Sequence, residues 1–401
     1  LCGISIENMQ KYLLFLFLFI CASCIGSKNG VLEQNKIFDI MIDPDRVTDD
    51  LDLSCILTDS IEIIKLNTSD ECLIGEIKQV SFTDQFIFVS DPYVSQKIFM
   101  FDKNGKFVKN IGRQGGGPGE YSIISKFTIT GDSLLIQDYN LHKYLVYSIK
   151  EDCFVSDIRY EPHHHSIVAY PDILYFVSGY FPADAGCYNL YRFDLRNSSM
   201  ESYLPFSQKI AVNRSAWSIE EQCSRVCERS FVFYALSDTI YQVNKDKAIP
   251  VYTLNFSKRS IPDDFKESHS GDEIMDLAFQ EGYVRGPIHL QHSDRWMLGT
   301  YVDGKEYRYM LIDKKTGQYQ IGKQLGARKE GNLTIPHNFL IEDNYFISWL
   351  PVRLLKLWKN HFSPNTFRDK GRVGKWERLI DSLDIDDNPV LIKCKIRNNE
   401  T

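Results

Sequence analysis

The sequence predicts an all-β fold: a six-bladed β-propeller of four-stranded antiparallel blades, its ring closed by pairing N- and C-terminal strands, with short helical insertions. Three observations predict it. The first is the stretch from Gln85 to Ile129, where the apolar runs Phe86–Val89, Ile98–Phe101 and Phe107–Ile111 are separated by polar breaks. Asn104-Gly105 lies between the last two and signals a hairpin, because both central residues of a type I′ turn need φ > 0. The second is recurrence. The same pattern of apolar strand, polar break, second strand and turn starts at Phe86, Leu134, Leu174, Phe231, Trp296 and Tyr345. These starts lie about 40 to 65 residues apart, a range that holds propeller blades with insertions. The third is a pair of strands without sequence neighbours, Ser60–Leu66 and Val390–Ile396. Pairing them closes the ring and removes the edges an open array exposes.

Composition agrees. The 25 Phe and 22 Tyr favour strands over helices. Net charge is −7, from 46 Lys+Arg against 53 Asp+Glu, and no basic stripe occurs, which argues against nucleic acid as a partner. Beyond Cys24, the seven cysteines Cys55, Cys72, Cys153, Cys187, Cys223, Cys227 and Cys394 are scattered, odd in number and without CxxC spacing. Neither a zinc site nor a dense disulfide framework is indicated.

In chain order, Met9-Gln10-Lys11 begins an export signal, preceded by upstream residues. Lys11 gives the positive region and Tyr12–Ile20 a short apolar core, below the roughly 20 residues that span a bilayer. Ala22-Ser23 precedes Cys24 as small residues precede the acylated cysteine of a bacterial lipoprotein, so Cys24 is the expected lipidation site. Position 21 is Cys where such signals most often carry Leu. Residues 1–23 are therefore read as upstream sequence and signal, 24–50 as a polar tether, and 51–401 as the propeller. Truncation before Leu51 is expected to be tolerated, and truncation at Asn67 is not. Ala216–Arg229, Pro262–Phe279 and Leu354–Leu383 carry apolar residues at helical spacing and read as excursions between blades or a cap over one end.

With those residues in view, FIFVSD…KIFMFDKNGKFVKNIGRQGGGPGEY, Ser237–Val243 and the terminal DDNPVLIKCKI resemble the six-bladed β-propeller lipoproteins of Bacteroidota, whose repeats are related to NHL repeats. The resemblance runs from about Ser60 to Ile396. It implies the fold and an envelope address, and little about activity, because propellers host unrelated functions.

Several motifs bear on chemistry. Gly115-Gly116-Gly117-Pro118-Gly119-Glu120 is not a P-loop, since no Lys-Ser/Thr follows and the next element is a strand. It reads as a structural crossover between blades, with Glu120 bonding loop N–H groups. His163-His164-His165 is the one histidine run; alternation in extended backbone leaves His163 and His165 as the weak metal candidates, against the simpler reading of a solvated loop. His289 and His292 read as cleft or surface residues. Asp91 and Asp138 each end an apolar strand and read as turn caps. Cys223 and Cys227, four apart on the expected helix, share a face.

No catalytic constellation or cofactor motif emerges, so no cofactor is expected. The reading is an exported, lipid-anchored binding or scaffold module at the outer membrane, facing the periplasm, with surface exposure the open alternative. Its partner would be an envelope protein, a peptide or a glycan. The rival is a metal-dependent lyase or lactonase with its site at the channel mouth.

Overall fold

The computed structural model describes residues 28–29, 36–160, 163–211, 223–226, 229–327, 333–334, 338–359 and 377–397. Six sheets follow one another around an axis, each a meander. From the axis outward, blade 1 is Gln79–Phe82, Phe86–Asp91, Lys97–Asp102 and Phe107–Asn110. Blade 2 is Ile124–Thr130, Ser133–Asp138, Lys143–Ser148 and Cys153–Arg159. Blade 3 is Ser166–Ala169, Ile173–Val177, Tyr188–Asp194 and Ser199–Pro205. Blade 4 is Cys223–Val226, Arg229–Val232, Thr239–Val243 and Ala248–Asn255. Blade 5 is Val284–His292, Trp296–Asp303, Glu306–Asp313 and Tyr319–Ala327. Blade 6 takes Phe339–Glu342, Tyr345–Leu350 and Val390–Ile396 from the C-terminal part of the chain, and its outermost strand, Leu57–Lys65, from the N-terminal part. Leu391 stands opposite Ile64 and Cys394 opposite Ile61, so the ring closes by the pairing the sequence predicted.

The hydrophobic effect acts here between blades. One apolar cluster fills each of the six clefts between neighbouring sheets. Second strands are buried on both faces, as in Ile87, Phe88 and Val89 or Leu134, Leu135 and Ile136. They therefore read as continuous apolar runs rather than alternating ones. Buried Asn388 locks the closure: its carboxamide oxygen accepts from Ile74 N at 2.8 Å, and its NH₂ donates to Asn67 O and Cys72 O.

The turn at Asn104-Gly105 differs in type from the expectation. Only Gly105 has a positive φ (+84°), and Asp102 Oδ1 accepts from Asn104 N and Lys106 N. This is a three-residue connection with a left-handed last residue and a bulge in the outer strand, rather than a type I′ turn. Asp152, Ser198 and Gly317 hold the same left-handed place in blades 2, 3 and 5.

Two sequence expectations are corrected. The stretch read as a tether is partly structure: Lys28–Asn29, Phe38–Met41 and Val47–Asp52 add in parallel to the outer edges of blades 3, 4 and 5. Together they form a belt that runs into blade 6. Its apolar runs, Ile37-Phe38 and Ile40-Met41-Ile42, are short and lie with Leu51 among aspartates, so the stretch reads polar although Ile40, Ile42 and Leu51 are fully buried. Gly322 admits the belt, since a Cβ there would stand 2.3 Å from Leu51 N. The helix expected over Ala216–Arg229 is also overturned where the chain is described. Cys223–Val226 is the innermost strand of blade 4 and hairpins into Arg229–Val232, so tertiary pairing overrides local spacing. Cys223 is therefore not on a helix, and Cys227 lies outside the described residues.

The other insertions carry helices among their described residues. Asp263–Ser268 and Gly271–Gln280 follow blade 4, the latter started by a Ser270/Glu273 capping box. Val352–Lys359 and residues 377–382 lie within the connection between the second and third strands of blade 6. Both insertions sit at the end of the ring that carries the 2–3 loops and the blade-to-blade crossovers. No helix among the described residues is long and apolar enough to cross a membrane.

Candidate functional site

An innermost strand has a neighbour on one side only, so its other edge of N–H and C=O groups faces the axis unpaired. Around this axis, side chains from other blades bond several of those groups. Gln79 of blade 1 donates from Nε2 to Phe127 O at 2.7 Å and accepts from Phe127 N at 3.1 Å. Glu342 of blade 6 accepts from Phe82 N at 3.0 Å and Ser81 Oγ at 3.3 Å. Gln291 of blade 5 accepts from Ile341 N at 3.3 Å. Lys126 of blade 2 donates to His165 O at 2.6 Å, and Arg225 of blade 4 reaches across to Ile129 O at 3.4 Å.

These clamps surround a cavity of about 360 Å³ on the axis, lined by residues of all six innermost strands. Gln79, Lys126, Arg225, His289, Gln291 and Glu342 give it polar groups, and Phe82, Val168, Phe339 and Trp349 give it apolar walls. Burial pushes the Glu342 carboxyl up to about 7, against the hydrogen bonds from Phe82 and Ser81 and the nearby Arg225 charge. The cavity thus offers fixed cations, a carboxyl that titrates near neutrality, and amides held in place. That set binds polar ligands by hydrogen bonds and charge.

The sequence-predicted residues mostly lie elsewhere. In the histidine run, His164 is buried, beside Tyr144 Oη and 3.2 Å from Gln137 Nε2, and its ring packs on Phe176 at 4.6 Å. His163 and His165 point the other way, and both contact Phe181, at 5.8 and 5.2 Å between centroids. Among the described residues, no group of three His, Cys, Asp or Glu is placed to hold a metal. His163 instead joins Tyr139, His142 and Phe181 in an aromatic cluster, and burial lowers its pKa. His289 lines the cavity; His292 is fully buried and stacks on Phe231 at 4.2 Å. Burial and the neighbouring Lys314 charge hold His292 well below the usual histidine range.

Gly115, Gly116, Gly117, Pro118, Gly119 and Glu120 form the crossover from blade 1 to blade 2. Glu120 Oε2 accepts from Gly117 N at 2.7 Å and Oε1 from Arg113 Nε at 2.5 Å, and the Gly117 bond foremost lowers its pKa. Asp91 accepts from Gly75, Val94 and Ser95 N–H groups. Asp138 accepts from Ser122 and Leu141. Each therefore joins the crossover entering its blade to its own 2–3 loop. Cys24 lies outside the described residues. The clamps Gln79, Lys126, Gln291 and Glu342 went unread in the sequence. Their one local signal is a long polar side chain inside a short apolar run, as in KQVSF and NFLIE.

The family model described as a domain of unknown function, DUF4934, matches residues 38–395. The chain belongs to the DUF4934 family. The DUF4934 match begins at Phe38, within the belt, which makes the belt part of the domain. In structure the chain is similar to a candidate exported protein of Bacteroides fragilis, with a TM-score of 0.68 and 20% identity over 90% of this chain and 99% of that one. A DUF4221 family member from Bacteroides vulgatus gives a TM-score of 0.48 and 11% identity over 86% and 98%. At such identity the first likeness shows the propeller fold alone. No curated protein matches the chain.

Proposed function

We propose that this DUF4934 protein is an exported binding or scaffold module of the cell envelope, non-catalytic, whose ligand enters the axial cavity. The observation that carries the reading is that cavity: about 360 Å³, within the range that takes a small ligand or one unit of a larger one. Amides and cations line it in fixed positions. A peptide or a glycan, with repeating donors and acceptors, matches such a lining better than an apolar molecule does.

The export signal in the sequence supports the address, with Cys24 as lipid anchor. Only residues 25–27 separate Cys24 from the Lys28–Asn29 pairing on blade 3, about 10 Å of extended chain. Acylation there would hold the rim of blade 3 close to a bilayer, without the long tether read from composition.

Two measurements test the reading. Cys24→Ala should abolish labelling by a fatty-acid probe and release the protein from membranes; persistent labelling would overturn the anchor. For the site, peptide and oligosaccharide panels should contain members that raise the melting temperature of the wild type and not of Arg225→Ala. A divalent ion co-purifying in stoichiometric amount would overturn the non-catalytic reading.

A further inference from the structure

The belt covers three outer edges and completes a fourth. Blades 1 and 2 differ: nothing among the described residues pairs with the outer edge of Cys153–Arg159 or with that of Phe107–Asn110. Three observations on the blade 1 edge converge.

The first is the internal precedent. In blade 4 the belt pairs with the last four residues of the outer strand, Phe38 opposite Tyr252 through Met41 opposite Asn255. In blade 1 Lys109 and Asn110 end the outer strand beyond a bulge at Val108, and Ile111 continues the ladder by donating to Ile98 O at 2.8 Å. Lys109, Asn110, Ile111 and Gly112 thus stand at the end of the outer strand of blade 1, as the belted residues do in blade 4.

The second is a gap at the outer end of a filled cleft. Belt residue Ile40, opposite Leu254, drops into the cleft between blades 4 and 5, and Leu51, opposite Leu325, into that between blades 5 and 6. The matching cleft between blades 1 and 2 holds a cavity of about 160 Å³. Those same residues, 109 to 112, form one wall, and Leu134, Tyr147, Ile149 and Phe154 of blade 2 form the other. A space of about this size accommodates a benzene ring, so one aliphatic side chain fits.

The third is charge. From Phe38 to Asp52 the belt carries six aspartates and one arginine, and its acids bond the edges it covers, as Asp49 does Lys323 and Asp39 does Thr253. From Lys103 to Arg113 blade 1 carries Lys103, Lys106, Lys109 and Arg113 and no acid. Lys109 pairs with Asp152 at the mouth of the cavity and Arg113 with Glu120, while Lys103 and Lys106 are exposed.

We propose that blade 1 is a β-augmentation site for an extended segment of a partner protein, in which apolar and acidic residues alternate. The segment adds in parallel beside Lys109–Gly112, places one aliphatic side chain in the cavity opposite Ile111, and sets its carboxylates against Lys103 and Lys106. Main-chain hydrogen bonds hold it, and the cavity and cations select it.

The probe is a fluorescein-labelled synthetic peptide with the sequence of residues 36–52, added to the full chain at low ionic strength and followed by anisotropy. Saturable binding is expected, weakened about tenfold or more by Lys103→Glu with Lys106→Glu and by added salt. Asn110→Pro, which removes an edge N–H, should weaken it similarly. The peptide carrying Asp in place of the Ile40 side chain should not bind. Lys323→Glu, on the belted edge of blade 5, should leave binding unchanged. The double charge reversal is at exposed positions and remains decisive if Asn110→Pro fails to fold. Absence of binding to the wild type would overturn the proposal, as would binding indifferent to the blade 1 variants or lost with Lys323→Glu. Dimerisation of the chain in sedimentation, abolished by the blade 1 variants, would also overturn it and make a second copy the occupant.

Discussion

The inner and outer rims of this propeller pose the same physical problem and solve it differently. Both are sheet edges with unpaired backbone groups. On the outside, blades 3, 4 and 5 receive whole strands from the belt. Main chain satisfies main chain there, and Ile40, Ile42 and Leu51 are buried with it. On the inside, single side chains reach from blade to blade, as Gln79 does to Phe127 and Glu342 to Phe82. A strand fills the space it pairs across, whereas a side-chain clamp leaves room between the clamps. The outer rim therefore contributes stability, and the inner rim keeps an axial cavity with polar walls.

The sharpest way to break that contrast is to remove the belt. Deletion through Arg46 takes away Ile40 and Ile42, each worth roughly 1.5–3 kcal/mol when fully buried. Several kcal/mol is a large share of the roughly 5–15 kcal/mol that stabilises a domain. We expect a melting temperature lower by about 10 °C than that of a chain starting at Lys36. This reverses the sequence-based expectation that everything before Leu51 is dispensable. Deletion through Leu66 should go further, leaving blade 6 open and the protein aggregated in gel filtration. Equal calorimetric melting of chains starting at Lys36 and Val47 would show that the belt is decoration.

Inner clamps should have smaller effects. Gln79→Ala leaves Phe127 N and O without their side-chain partner beside a partly enclosed cavity. A buried donor or acceptor stripped of its partner costs about 1–3 kcal/mol, reduced here by any water the cavity admits. Urea denaturation should show a lower midpoint with an unchanged m value, since little surface is altered. A cost matching that of belt removal would erase the distinction between the rims.

How much of this was legible depends on where each strand sits. The six repeat starts read from the sequence coincide, within two residues, with the second strands of the six blades. Those strands are buried on both faces, so their apolar runs need no partner to be recognised. Closure was legible for a similar reason: Ile61, Ile63 and Ile64 in one strand and Val390, Leu391 and Ile392 in the other are dense enough to stand out. The belt was not, because runs of two or three apolar residues among aspartates signal burial only once the cleft beside them is known. Cys223–Val226 was missed because four residues, half of them polar, carry too little pattern to outweigh helical spacing around them. The cavity residues were illegible for a deeper reason. Gln79 and Glu342 act on backbone groups of blades distant in sequence, at Phe127 and Phe82. A polar side chain in a short apolar run is too weak a local mark to show a glutamine as a clamp.

Glu342 allows the finest test of the inner rim, because it is a clamp that can titrate. Its pKa is raised from the ordinary 4.5 to about 7, chiefly by burial. An acid whose folded pKa lies above its unfolded one binds more protons folded than unfolded between those values. Its stability contribution is therefore complete below pH 4.5 and is lost as pH rises through about 7. Glu342→Gln keeps an oxygen that accepts from Phe82 N and removes the ionisation. The variant should thus gain on the wild type as pH rises, by on the order of 1–3 kcal/mol at pH 8, and show no such gain at pH 4. Melting curves of both proteins across that range make the comparison. Curves separated by a constant amount would mean that the carboxyl is already solvated and ionises freely. The inner rim would then be open to water at Glu342, and the cavity would lose the low-dielectric wall on which its polar selectivity depends.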